Sequence, residues 1–88
     1  MSVWEDAQAE RERALVLHGD KAMDAYEIDD YARLAILMEE VGEVAREFNE
    51  AIQNKRFIDV DALRTELVQV TAMAGAWVDA IDAETPDG

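Results

Sequence analysis

Apolar residues recur every three or four positions along three segments, which is the spacing of one face of an α-helix. These repeats predict helices over about residues 3–18, 30–53 and 61–83. The first stripe is the weakest and consists of Trp4, Ala7, Arg11, Ala14 and Leu15. The second consists of Leu34, Leu37, Val41, Val44, Phe48 and Ile52. The third consists of Leu63, Leu67, Val70, Ala74, Trp77 and Ile81.

Residues that cap helices or make turns lie at the ends of these segments. Gly19 suits a left-handed C-cap after the first helix. Asp29 or Asp30 can cap the second helix by accepting from its free N–H groups, and Asp61 is the corresponding candidate for the third. Asn54 and Asp59 are turn or cap candidates in the connector between them. Gly75 interrupts the third stripe and predicts a close approach of another helix.

No segment alternates apolar and polar residues as a strand would, so the chain is expected to be all-α. Three striped helices joined by short links predict an antiparallel helical bundle of three to four helices. The chain has 88 residues, which predicts a single domain over 1–84 and a frayed tail over 85–88. The stripes on the second and third helices are wide for so small a bundle, and this predicts completion by dimerisation.

The chain is strongly acidic, with 21 Asp and Glu residues against 8 Lys and Arg and a formal net charge of -13. Such a surface repels nucleic acid and anionic membranes, so neither is an expected partner. There is no cysteine, which excludes disulfides and thiolate metal sites. No basic segment followed by an apolar one opens the chain, and a cytoplasmic location is expected.

Two groups of oxygen-bearing side chains lie on the second and third predicted helices. Glu39, Glu40 and Glu43 fall within five residues, and Glu66 and Gln69 repeat the three-residue spacing. Residues three or four apart share a helix face, and an antiparallel turn between the helices brings the two groups to similar height. Clustered oxygen ligands are what Mg²⁺ requires. A solvated acidic face is the alternative interpretation.

These motifs, Glu39-Glu40-x-x-Glu43 followed by Glu66-x-x-Gln69, resemble the all-α nucleoside triphosphate pyrophosphohydrolases of the MazG type, and in particular their short phage and actinobacterial members. The flanking text from Leu34 to Ala45 and from Leu63 to Val70 is similar as well. The resemblance covers roughly residues 30–83. It implies Mg²⁺-dependent hydrolysis of a nucleoside triphosphate to a monophosphate and pyrophosphate, with Mn²⁺ as a substitute, by a homodimer or tetramer.

The resemblance also implies roles for individual residues. Glu40, Glu43 and Glu66 would bind the metal, while Glu39 would ligate a further ion or partner the attacking water. Gln69 stands where the family has Asp, and it offers a carbonyl oxygen without a charge. Glu39, Glu40 and Glu43 are thus the candidate catalytic residues, and the metal ligands are Glu40, Glu43, Glu66 and Gln69.

Two further residues are candidates for substrate binding. Asp79 matches a position where the family often carries Asp or Asn, although on a straight helix it points away from Glu66. Lys55 belongs to the basic pair Lys55-Arg56 and could contact phosphate, or it could simply lie in a solvated turn. The alternative function is a non-catalytic acidic helical module that binds a partner protein, or a degenerate homologue that binds nucleotides without hydrolysing them.

Overall fold

The computed structural model describes residues 2–18 and 29–84, and these form three α-helices with no strand among them. The helices are α1 (Val3–His18), α2 (Asp30–Gln53) and α3 (Val60–Glu84). The all-α prediction is confirmed, and α3 is one residue longer at each end than expected. The predicted stop at Gly19, most of the following connector and the tail 85–88 lie outside the described residues.

Short polar side chains fix where the helices begin. Ser2 accepts from the backbone N–H of Glu5 at 3.2 Å, and the Glu5 carboxylate accepts from the Ser2 hydroxyl and N–H in return, which is a capping box. Asp29 caps α2 by accepting from Ala32 N at 2.9 Å. The expectation for Asp61 is wrong, because Asp59 caps α3 and accepts from the N–H groups of residues 61 and 62.

The C-terminus of α2 ends in a Schellman motif centred on Lys55. The Lys55 N–H donates to Ile52 O at 3.2 Å, and the Arg56 N–H donates to Ala51 O at 3.0 Å. Lys55 has a φ of 53°, in the left-handed region that glycine usually supplies at this position. Lys55 therefore shapes the tight turn that directs α3 back along α2.

α3 is the central element, because both other helices pack against it. Among the described residues, close backbone contacts join α3 to α1 and α3 to α2, and none joins α1 to α2. The core is built mainly from small side chains of α3. Its buried members are Ala7, Ala72, Met73 and Ala76. Ala14, Ile36, Leu37 and Trp77 pack around them.

The buried face of α3 is therefore not the predicted stripe. Val68, Ala72, Ala76 and Ala80 are buried, whereas Leu67 and Ile81 of the predicted stripe are exposed. Small side chains allow α1 and α2 to approach α3 closely. The face of α3 that carries the alanines is therefore buried, rather than the face that carries Leu67 and Ile81. On α2, the stripe positions that remain exposed are Leu34, Val41, Phe48 and Ile52.

The close approach expected at Gly75 is absent within the described chain. A Cβ atom added at Gly75 would meet no other atom within 4 Å. None of the three helices is long and apolar enough to cross a membrane.

Polar contacts tie the ends of the helices together. Arg33 is buried, and its guanidinium lies 3.2 Å from Asp30 Oδ1 and 3.7 Å from Glu84 Oε1. Trp77 Nε1 also donates to Asp30 Oδ1, at 3.0 Å. Because Asp30 opens α2 and Glu84 closes α3, these contacts fix the two helices antiparallel and set the register of the site between them.

Candidate metal centre

The side chains of Glu40, Glu66 and Gln69 meet where α2 faces α3. The Gln69 amide lies 2.9 Å from Glu40 Oε2 and 3.0 Å from Glu66 Oε2. Both neighbours are acceptors, so the amide is oriented with its NH₂ group donating one hydrogen bond to each. One amide thus bridges a carboxylate on each helix, and the structure brings these three residues of the two motifs together.

The bridged carboxylates hold their protons more tightly than free glutamates. Partial burial raises the pKa of Glu40, and the charges of Glu66, Glu43, Glu10 and Glu39 raise it further. The pKa of Glu66 is also raised, first by burial and then by Glu43 and Glu47, with Arg46 opposing. A divalent cation between the carboxylates would reverse this repulsion, since it favours the charged forms.

The other two acids of the first motif are placed differently. Glu43 lies one turn beyond Glu40 and pairs with Arg46, with 2.5 Å between Oε2 and Nη2. Its charge still acts on both Glu40 and Glu66. Glu39 is exposed, and its negative charge contributes to the raised pKa of Glu40.

The two candidate substrate-binding residues are not brought to this centre. Asp79 pairs with Arg11 of α1, with 2.6 Å between Oδ2 and Nη2. Lys55 lies in the turn after α2. Asp79 therefore takes part in an ion pair between α3 and α1.

Sequence reasoning missed the contribution of α1. Glu10 acts on the pKa of both Glu40 and Glu66, and Arg13 is close enough to Glu40 for that carboxylate to raise the Arg13 pKa, after the larger effect of its partner Glu10. In the sequence, Glu10 and Arg13 are three residues apart, which is the spacing of an ordinary surface ion pair on a helix. Only the packing of α1 on α3 shows that the pair lies beside the centre.

The donor set at the centre consists of two carboxylates, which are ligands that a hard cation takes, because Gln69 turns its NH₂ group toward them. It is smaller than the four predicted ligands, since Gln69 presently donates to the acids and Glu43 is held by Arg46. Among residues 2–18 and 29–84, no three Asp, Glu, His or Cys side chains are already grouped to hold a metal. A cation held by all three residues would need the Gln69 amide to turn its oxygen inward.

Comparison with known proteins identifies no relative: no family model, curated protein or solved structure matches the chain.

Proposed function

We propose that the chain is a Mg²⁺-dependent nucleoside triphosphate pyrophosphohydrolase of the MazG-like type. The observation that supports this most directly is the Glu40–Gln69–Glu66 bridge between α2 and α3. Two carboxylates with raised pKa values meet there on facing helices, and a cation between them would favour their charged forms. The acidic surface would repel a free triphosphate but not one that carries a divalent ion.

Within this proposal Glu40, Glu66 and Gln69 hold the ion, and Glu43 joins them when it is released from Arg46. The bound ion would neutralise phosphate charge and lower the pKa of a water molecule. Glu39, exposed beside Glu40, would accept the proton of the attacking water. Attack at the α-phosphorus breaks its bond to the bridging oxygen and releases pyrophosphate, leaving a monophosphate.

The proposal also includes self-association through the exposed stripe of α2. Leu34, Val41 and Phe48 are spaced by seven residues and therefore lie on one face, and they are 49%, 40% and 46% exposed. Leu67 and Ile81 leave a similar row on α3, at 47% and 45%. A second copy packed on these faces, as a homodimer or within a tetramer, would complete a helical bundle and bury them.

Release of pyrophosphate tests the enzyme directly. A panel of canonical and modified nucleoside triphosphates is incubated with Mg²⁺ or Mn²⁺, with wild-type protein and with Glu40→Ala/Glu43→Ala. The proposal predicts metal-dependent release of pyrophosphate from at least one nucleotide and its loss in the double variant. A folded wild-type protein that releases none from any nucleotide contradicts the proposed activity.

A second candidate function is an acidic helical module that binds a partner protein, or a homologue that binds nucleotides without hydrolysis. Gln69 favours it, because the amide satisfies both carboxylates without any metal. The exposed apolar rows would then receive another protein. Thermal melting separates the candidates, since a cation bound only by the folded chain raises the melting temperature, whereas a module without a metal site melts identically over millimolar Mg²⁺.

A further inference from the structure

A cleft of about 260 Å³ lies between α1 and α3, directly beside the candidate metal centre. Its walls are Asp6, Ala9, Glu10, Arg13, Arg64, Thr65 and Val68. Along α3, residues of the cleft are followed directly by residues of the centre. Thr65 precedes Glu66, and Val68 precedes Gln69. Successive residues on a helix point about 100° apart, so the cleft and the centre occupy adjoining faces of the same two turns.

The cleft gathers two of the chain's 8 basic side chains. Each arginine is paired with an acid of α1. Arg64 Nη2 lies 2.7 Å from Asp6 Oδ2, and Arg13 donates to Glu10 through Nε at 3.0 Å and also through Nη2. The lining therefore has no net formal charge, in a molecule whose net charge is -13.

These ion pairs orient the guanidinium groups without using all of their hydrogen-bonding capacity. A guanidinium carries five N–H donors in a planar fork, and both arginine side chains remain more than half exposed. Glu10 and Asp6 hold the guanidinium groups of Arg13 and Arg64 at the cleft. The remaining N–H groups of these arginines can then donate to an entering anion. Planar forks match the geometry of phosphate oxygens better than an ammonium group does.

The size of the cleft limits what it can accept. Its volume is enough for phosphate groups, and the two guanidinium groups in its wall are the donors that phosphate oxygens accept from. We propose that Arg13 and Arg64 form an anion subsite that receives the β- and γ-phosphates of a triphosphate whose α-phosphate lies at the Glu40–Gln69–Glu66 centre. This inference rests on the proposed function and assigns substrate-binding residues on α1 and α3.

Binding of inorganic tripolyphosphate in Mg²⁺, measured by titration calorimetry, tests the subsite without requiring turnover. The variants are Arg13→Gln/Arg64→Gln, Asp6→Asn and Arg56→Gln. Asp6→Asn breaks the same interhelix pair as Arg64→Gln but keeps the guanidinium. Arg56 lies in the α2–α3 turn and donates to Phe57 O, so Arg56→Gln removes one positive charge away from the cleft, half the change made in the double variant.

The subsite predicts that the double arginine variant weakens binding by about 100-fold, since each charge-assisted contact to phosphate contributes roughly ten-fold. Asp6→Asn should bind as tightly as wild type or more tightly, and Arg56→Gln should be unchanged. Unchanged binding in the double variant overturns the inference. Equal losses in Asp6→Asn and the double variant also overturn it, because they would show that the arginines only dock α1.

Kinetics separate failure of the subsite from failure of the enzyme. If wild-type protein releases pyrophosphate and the double arginine variant keeps its KM, the subsite is wrong and the enzyme stands. If no nucleotide is hydrolysed but tripolyphosphate binding still depends on Arg13 and Arg64, the enzyme is wrong and the subsite stands. A wild-type protein that binds no tripolyphosphate at millimolar concentration overturns the subsite in either case.

Discussion

At the scale of single residues, Gln69 decides how the site behaves. As an NH₂ donor it satisfies Glu40 and Glu66 at 2.9 and 3.0 Å and holds them together without a cation. For the same side chain to ligate a cation, its carbonyl oxygen must face the carboxylates instead. These two orientations differ by a half-turn of the Gln69 amide. Without a metal, the amide donates hydrogen bonds to both acids, whereas a third carboxylate at this position would repel them.

Replacing that amide by a carboxylate should separate stability from metal binding. Gln69→Glu places a third negative charge beside two acids that already hold their protons tightly. We predict a lower melting temperature than wild type in EDTA and an affinity for Mg²⁺ raised by at least about ten-fold. Thermal melting with and without metal measures both effects.

The control for this change is Gln8→Glu, which adds the same charge on the exposed surface of α1 and removes the hydrogen bond that Gln8 donates to Glu12. Its response to Mg²⁺ should equal that of wild type. Equal melting curves for Gln69→Glu and Gln8→Glu, in both EDTA and Mg²⁺, would show that Gln69 is not next to a cation site.

The raised pKa of Glu40 predicts how stability depends on pH without metal. A carboxyl whose folded pKa lies above its ordinary value of 4.5 stabilises the fold below that value, and this contribution is lost as pH rises through the folded pKa. Glu40→Gln removes the repulsive charge. We therefore expect it to melt a few degrees above wild type at pH 7 in EDTA and at the same temperature near pH 4. A constant difference across this range would contradict the assignment.

At the scale of elements, α3 holds the molecule together through two different kinds of contact. Its alanine face packs against α1 and α2, while ion pairs join its two ends to its neighbours. Arg64 pairs with Asp6 of α1, and Glu84 lies near the buried Arg33 of α2. The contacts of Arg33 with Asp30 and Glu84 join the N-terminus of α2 to the C-terminus of α3, in the register in which Glu40 meets Glu66.

Arg33 is therefore expected to contribute more to the stability of the fold than an exposed charged residue would. Its side chain is 2% exposed, so Arg33→Ala removes both a packed stem and the contacts to Asp30 and Glu84. We predict a loss of about 2–3 kcal/mol in the free energy of unfolding, measured by urea denaturation. Arg33→Met keeps a stem of similar length and should lose less. A change below about 0.5 kcal/mol in Arg33→Ala would contradict a structural role.

The sequence predicted the elements better than their packing. Helical periodicity placed all three helices within a residue of their bounds, and the spacing of Glu40, Glu66 and Gln69 predicted their meeting. The prediction of the buried face of α3 was wrong. Hydrophobicity ranks Leu67 above Ala72, whereas the close approach of the helices favours the smaller residue. Arg33, Glu10 and Arg13 were missed because their partners or neighbours are set by tertiary packing.

At the scale of the whole molecule, the fold leaves much apolar surface uncovered. Its Cα radius of gyration is 14.6 Å, above the about 12 Å expected for a compact chain of this length. The exposed rows on α2 and α3 are regular, whereas a scattered set of exposed apolar residues would need no explanation. A net charge of -13 opposes association, so any dimer must bury enough of these rows to offset the repulsion.

A charge placed in the α2 row tests that association. We predict that wild-type protein sediments as a dimer or tetramer and that Phe48→Glu is a folded monomer, because the new carboxylate would be buried without a partner. Phe57→Glu is the control, since Phe57 is 97% exposed in the turn and outside the row. Sedimentation velocity measures the mass. A monomeric wild type at about 100 µM, roughly one hundred times a dimer dissociation constant of 1 µM, would contradict the proposed assembly.

Binding of Mn²⁺, followed by electron paramagnetic resonance, tests the central claim that Glu40 and Glu66 form a cation site. Wild type is compared with Glu66→Gln and with Asp82→Asn, which makes the same charge change on α3 about 24 Å further along the helix. We predict that Glu66→Gln weakens binding by at least about ten-fold, whereas Asp82→Asn binds like wild type. Equal affinities in all three proteins would contradict the claim, because the cation would then be held only by the general negative charge of the surface.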